Sequence, residues 1–299
     1  MTTYHLTLVD PYSVLHPVDG GIWNPGAPLL MLAQGDSWFS IGANPPFLTT
    51  NLLIEMRLPV QSCVANCAHP GDTIAHMVEW RQNPQFVALV SGSLAYTWQA
   101  LLMSAGGNDV IDAASVPPVA VDGTWIPSNL RLLLAESEWM PNSGPSRYVS
   151  TEGWAFFELH MKLQYEALFA LLQGDESKNR DVPIFFHLYD YPMPRNAPAS
   201  YFPRKGPWLQ RALSACSIPQ AEWFAVAKLL IDKYAAFVLS MQLLFPSMRI
   251  IDTRNILTPA VPGATGASND WLNEIHPTRE GYNKLAAIYA GAVSRELAL

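Results

Sequence analysis

The sequence predicts an α/β fold, a three-layer α/β/α sandwich in which a parallel sheet of five strands is covered on both faces by helices. Three observations predict it. Five short apolar runs, at 28–33, 59–65, 99–105, 182–188 and 248–251, are each followed by polar or glycine-rich residues, the pattern of strands buried on both faces. Between and after them, segments 72–82, 152–172, 221–244 and 277–297 repeat apolar residues at three- and four-residue spacing, the pattern of helices with one buried stripe. A chain of 299 residues that is 49% hydrophobic can bury one large core, and strands alternating with helices build a doubly wound parallel sheet.

In such a sheet the ligand sits outside the carboxyl ends of the strands, so the residues after each run matter most. The first run delivers the chain to Gly35-Asp36-Ser37-Trp38, and the second to a turn at 66–72 that continues as Gly71-Asp72-Thr73-Ile74. The third ends at Gly106-Gly107-Asn108-Asp109, and the fourth at His187, Tyr189, Asp190 and Tyr191. The last helix is preceded by Asn273-Glu274-Ile275-His276-Pro277. Every cluster able to do chemistry therefore falls at one end. Two connections leaving that end, 113–151 and 191–220, are rich in Pro, Trp and Ser. They are too long for simple loops and are expected to wall the site as lid-like insertions on a single domain spanning 1–299.

Composition narrows the function. The formal charge of -7 and a charged fraction of only 14% leave no basic surface to neutralise a phosphate backbone, so nucleic acid is not expected as a partner. Three cysteines without repeated spacing, Cys63, Cys67 and Cys216, fit neither a disulfide framework nor a zinc site. No stretch approaches the ~20 apolar residues of a membrane span, and the N-terminus lacks the basic start and apolar run of a secretory leader. A soluble protein is expected, cytoplasmic by default, with export after removal of a leader or by a non-classical route left open.

A serine attacks an acyl carbon only if a base takes its proton and donors hold the oxyanion that forms. The G-x-S-x-G elbow of the common serine hydrolases is absent. Ser37 instead follows the first strand in Gly35-Asp36-Ser37, where a serine opening a helix turns its hydroxyl and N–H toward the crevice. Gly71 sits where a backbone N–H can approach a ligand without a side chain in the way. The Asn108 amide can donate from a fixed position, and His276 stands at the mouth of the fold. Alone, each is equally a turn residue, a helix cap or a structural histidine; together they occur in one order, each beside a strand end or a helix start.

In that order they resemble the SGNH, or GDSL-like, serine hydrolase family, whose blocks are a G-D-S serine, a glycine, G-x-N-D and D-x-x-H-P. The resemblance runs from Gly35 to Pro277 and is most specific at Gly107, Asn108 and Asp109. It implies a flavodoxin-like strand order and no cofactor or metal. Ser37 would be the nucleophile and His276 the general base, with the Ser37 and Gly71 N–H groups and the Asn108 amide forming the oxyanion hole. The substrate would be a small-molecule carboxylic ester, and the apolar, aromatic insertions favour an acyl or lipid-like one.

Two positions depart from the pattern. Trp38 replaces a common leucine, and Asn273 stands where the family has the aspartate that orients the imidazole. Asp270 or Glu274 can supply a carboxylate by a local shift, Asn273 or a backbone carbonyl can orient a Ser-His dyad, or catalysis has been lost; Asp270 is favoured as the third catalytic residue. Trp38, His187, Tyr189 and Asp190 are candidates for the pocket wall, with His187 equally placed to be a core histidine. Trp139, Trp154 and Trp208 extend that apolar wall or pack in the core. Two alternatives remain: a binding protein on a decayed scaffold, suggested by Asn273, and a metal-dependent phosphoesterase. The G-D and G-N-D segments echo the second, but it lacks the D-x-H and G-H-x-H ligands that two metals need.

Overall fold

The structure, a computed structural model, describes residues 2–17, 23–40, 50–141, 144–199 and 205–299. Its strands are β1 (Tyr4–His5), β2 (Thr7–Val9), β3 (Leu29–Gly35), β4 (Arg57–Leu58), β5 (Ser62–Asn66), β6 (Ala100–Ser104), β7 (Ile184–His187) and β8 (Met248–Ile251). Six of them form one sheet in the order β2-β5-β3-β6-β7-β8, with every pair parallel. All five predicted strands are in it, within a few residues of the apolar runs. Their spatial order, second, first, third, fourth, fifth, is the flavodoxin-like one. The correction is the sixth strand. β2 has only three residues, running from exposed through half-buried to buried, so as an edge strand it leaves no continuous apolar run in the sequence. β1 and β4 make a separate two-residue antiparallel ribbon.

The long helices appear as predicted: Thr151–Gln173, Trp223–Gln242 and Arg279–Glu296. Ser150 and Thr278 cap the first and last, each side chain accepting a backbone N–H from three residues on, which satisfies one of the donors a helix start leaves free. The predicted helix at 72–82 is cut short to Ile74–Val78, and a second helix, Pro84–Val90, begins after it. Asn83 lies between them at φ -127° and ψ 58°, because the ring of Pro84 excludes the helical region for the residue before it. Two short helices, Gly107–Ala114 and Leu209–Ala215, go beyond the sequence expectation. The helices pack as two groups with the sheet between them. Arg279–Glu296 joins the short Leu52–Glu55 and Ser37–Ser40 helices, while Thr151–Gln173 joins Ile74–Val78, Pro84–Val90 and Trp223–Gln242. Among the described residues no helix is long and apolar enough to cross a membrane.

The connection at 113–151, of which residues 142 and 143 lie outside the described residues, feeds Leu132, Leu133, Tyr148 and Val149 into the core. Its buried Arg131 donates from Nε to the Ile126 carbonyl at 2.9 Å and forms an ion pair with Glu138, so this segment is built as a packed layer. In the connection at 191–220, residues 200–204 lie outside the described ones.

Candidate active site

β3 and β6 are neighbours at the centre of the sheet, and the chain leaves them in opposite lateral directions, which opens a crevice at their carboxyl ends. Ser37 follows β3 and Asn108 follows β6. Glycine is required at Gly35 because a Cβ there would lie 2.8 Å from the Ser104 Cβ on β6. The next residue, Asp36, donates its N–H to the Ser104 carbonyl at 3.0 Å, so the nucleophile candidate is set directly against β6. The Asp36 carboxylate then fixes the turn: it accepts from the Trp38 N–H at 2.9 Å, the Ser104 hydroxyl at 2.8 Å and the Tyr189 hydroxyl at 2.5 Å. Burial pushes its pKa up to about 6 against the pull of those donors. On the β6 side, Gly106 has φ +91° and a Cβ there would overlap the Tyr234 hydroxyl at 1.7 Å, so no other residue fits.

His276 arrives on the loop before the last helix. Its Nε2 lies 2.8 Å from Ser37 Oγ and its Nδ1 3.0 Å from Asn273 Oδ1. Asn273 Oδ1 also accepts the backbone N–H groups of Ile275 at 3.1 Å and His276 at 2.9 Å. Only an oxygen can accept both, which fixes the orientation of the amide. The imidazole therefore carries its proton on Nδ1 and presents a bare Nε2 to the serine hydroxyl, the tautomer a general base needs. With no carboxylate against it, burial alone holds the His276 pKa down to about 4.

The carboxylate expected from Asp270 is engaged elsewhere, which corrects that expectation. Its Oδ2 accepts the Thr258 N–H and the Lys284 ammonium, both at 2.6 Å. Burial pulls its pKa up, but these two partners outweigh it and leave it below the usual carboxylate range. Glu274 also points away from the imidazole. Its fully buried carboxylate accepts the backbone N–H groups of Arg195 at 3.3 Å, Gln210 at 2.7 Å and Trp208, clamping the 191–220 connection to the His276 loop. Burial raises its pKa to about 7 despite those bonds. Arg195, itself buried, donates from its guanidinium to the Asn273 carbonyl at 2.7 Å and holds the loop from behind. Sequence reasoning missed Arg195, whose partners lie 69 to 78 residues away with no local pattern to mark them.

The Asn108 side chain lines the cleft beside Ser37 and donates one amide hydrogen to the Asp72 carbonyl at 3.0 Å. Its second amide hydrogen is available to a ligand oxygen. Gly71, one residue before that carbonyl, lies in an exposed turn at φ +88°, and a Cβ there would touch nothing within 4 Å. Glycine is needed there by its backbone conformation, not by crowding. Asp109 is buried, accepts the Ile74 N–H at 3.2 Å and is pushed by burial to about 7.

The other pocket candidates divide. Trp38 lines the cleft and donates its indole N–H to the Ile275 carbonyl at 3.1 Å. Tyr189 and Asp190 line it too, but their polar atoms face away: Tyr189 serves Asp36, and Asp190 accepts the backbone N–H groups of Tyr191, Asn255, Ile256 and Leu257. His187 is not in the wall. It is a core residue stacked on Trp38 and bonded through Nε2 to Ser104 Oγ at 2.9 Å, and burial lowers its pKa to about 4. Trp208 meets the His276 ring edge-on at 5.6 Å. Trp139 packs on Tyr148 and Trp154 on Phe157, inside their own segments. Among the described residues the 191–220 connection contributes Pro192 and Leu209 to the cleft, whereas 113–151 contributes none, contrary to the expectation that it walls the site. No group of three or more His, Cys, Asp or Glu side chains among the described residues converges as a metal site.

No protein-family model matches the sequence, and no curated protein is similar to it. Similar solved structures include a lipase from a goat rumen metagenome, with 13% identity and TM-score 0.48 over 88% of this chain and 97% of that one. An extracellular lipase from Streptomyces rimosus has 11% identity and TM-score 0.48 over 89% of this chain and 99% of that one. Phospholipase A1 from Streptomyces albidoflavus has 10% identity and TM-score 0.45 over 89% of this chain and 98% of that one. These three structures are matched along most of their length and at low identity.

Proposed function

We propose that the protein is a serine esterase of the SGNH kind that hydrolyses carboxylic esters through an acyl-enzyme on Ser37, with His276 as general base. The observation that carries the reading is the Ser37 Oγ to His276 Nε2 distance of 2.8 Å, with the imidazole held in the proton-accepting tautomer by Asn273. As Oγ attacks the ester carbonyl carbon, its proton passes to Nε2 and the carbonyl oxygen takes the negative charge. The second Asn108 amide hydrogen and the backbone N–H groups of Ser37 and Gly71 are the donors assigned to that oxyanion in this reading. Collapse of the intermediate expels the alcohol, which takes the proton from Nε2. Water then enters, loses a proton to the same nitrogen as its oxygen attacks the acyl carbon, and the acid is released as the Oγ–acyl bond breaks and Ser37 Oγ takes that proton back. In place of the carboxylate of a triad, Asn273 orients the base without compensating its charge.

The test is the hydrolysis rate of p-nitrophenyl acetate and butanoate by the native protein and by Ser37→Ala. The reading expects turnover that falls by at least about a thousandfold in the variant. Equal rates for the two proteins would overturn it.

A further inference from the structure

We propose that the cavity beside Ser37 is the acyl pocket and that it takes a short unbranched acyl chain of about four carbons, while the alcohol leaves on the opposite side of the nucleophile. This rests on the esterase reading above and adds which half of the ester lies where.

The first observation is which residues form the walls. Ser37 and Asn108 line it together with Val110 and Ile111 of the Gly107–Ala114 helix and Leu230 and Ile231 of the Trp223–Gln242 helix. His276 is not among the described residues lining it. The alcohol oxygen must come within hydrogen-bond reach of His276 Nε2, because that nitrogen returns the proton on which the alcohol departs. A cavity that reaches Ser37 without reaching His276 is therefore on the wrong side for the alcohol. The acyl substituent, which stays on Oγ after the alcohol leaves, has this cavity beside it.

The second observation is chemistry. Asp36, Tyr189 and Asp190 contribute surface to the cavity, but their polar atoms are occupied by Trp38, Ser104, one another and the four N–H groups on Asp190. Apart from Ser37, Asn108 and the buried, unpartnered indole N–H of Trp271, the lining is hydrocarbon and aromatic carbon, so a sugar or a charged acyl group would lose most of its water without replacement. The third observation is size. The space that water centres can occupy is ≈ 40 Å³, which at ~10–15 Å³ per water on that measure holds about three waters. Roughly three methyl or methylene groups beyond the carbonyl fill the same room.

The experiment uses two ester series with the native full-length chain. One varies the acyl group, from acetyl to decanoyl, on a constant p-nitrophenol; the other varies the alkyl alcohol on a constant acetyl group. In the first, kcat/KM is expected to peak near butanoyl and to fall by about tenfold or more by octanoyl, because a methylene that cannot be seated costs roughly that factor. Ile231→Ala enlarges the wall and is expected to move the peak toward longer acyl chains while keeping the native ranking of the acetates. Ala227→Val, on the same helix and facing the same space, is expected to move it toward acetyl. It adds only two methyl groups and serves if the larger truncation fails to fold.

A flat acyl profile in a native enzyme whose activity depends on Ser37 would overturn the pocket assignment and leave the esterase reading standing. So would variants that reorder the acetates instead of the acyl series. A native protein that cleaves none of the esters and does not react with a fluorophosphonate would remove the esterase reading, and this proposal with it.

Discussion

Replacing Asn273 by aspartate places a charge on the imidazole at almost constant shape. Oδ1 of the new residue keeps its three donors, the N–H groups of Ile275 and His276 and the Nδ1–H of the ring. With Nδ1 3.0 Å from that oxygen, opposite charges ~4 Å apart at an effective dielectric of ~20 attract by about 4 kcal/mol. Carboxylates beside cationic partners ordinarily produce shifts of about 1–3 pKa units, or ~1.4–4 kcal/mol. The native imidazole is held at about 4 by burial, so the variant should titrate at ~5–7. The sign is definite: only the neutral imidazole accepts the serine proton, so kcat/KM rises with pH through the pKa of His276 and is level above it. The native acid limb is expected near pH 4, and that of Asn273→Asp about 1–3 units higher. Because the imidazolium forms in the transition state, the plateau kcat should rise by up to about ten- to a thousandfold. The assay is the full pH–rate profile of both proteins with one activated ester. An acid limb that stays where it was in a folded Asn273→Asp protein would refute the reasoning, since Asn273 could not then face the catalytic imidazole.

Two further outcomes follow from the buried groups around the site. Glu274→Gln replaces one acceptor oxygen of the clamp on Arg195, Trp208 and Gln210 with a donor, and should cost about 1–3 kcal/mol; a thermal melt within 1 °C of native would count against the clamp. His187 is held near 4 by burial while the same group titrates at ~6.5 in the unfolded chain, so stability is full above about pH 6.5 and is lost as the pH falls toward 4, by about 3 kcal/mol. Urea unfolding from pH 7.5 to 4 should show His187→Leu losing that much less than native, each protein being compared with itself so that the buried carboxylates cancel. Equal losses would show that His187 carries no such penalty.

How far the site could be read from the sequence depended on how local its signals are. Ser37, Asn108 and His276 each sit directly after a strand or before a helix, so strand ends located by apolar runs were enough to bring them to one crevice. The five runs located the central strands, while their order came only from the family resemblance. β2 escaped because an edge strand of three residues carries no buried run. Asp270 was the wrong choice of partner for His276 because spacing alone does not distinguish a side chain facing the imidazole from one facing Lys284, 14 residues further on. Asn273 sits within the same tight turn as His276, where two backbone N–H groups fix its oxygen. Glu274 and Arg195 act on segments 64 to 79 residues away, a relation that only the folded chain displays. The Asn83-Pro84 step, present in the sequence, marks where the second helix starts, whereas the first already ends at Val78, five residues before Asn83. His187 carries a residue type suited to catalysis but a position inside the apolar run of β7, and the position determined its role.

The claim that Ser37 is an activated nucleophile is tested most directly by covalent labelling. The native protein and Ser37→Ala are incubated with a fluorophosphonate at pH 7.5 and their intact masses measured. One phosphonyl adduct is expected on the native chain, mapped to the peptide containing Ser37, and none on the variant. A folded native protein that takes up no adduct, or a Ser37→Ala protein labelled as fully as the native one, would contradict it.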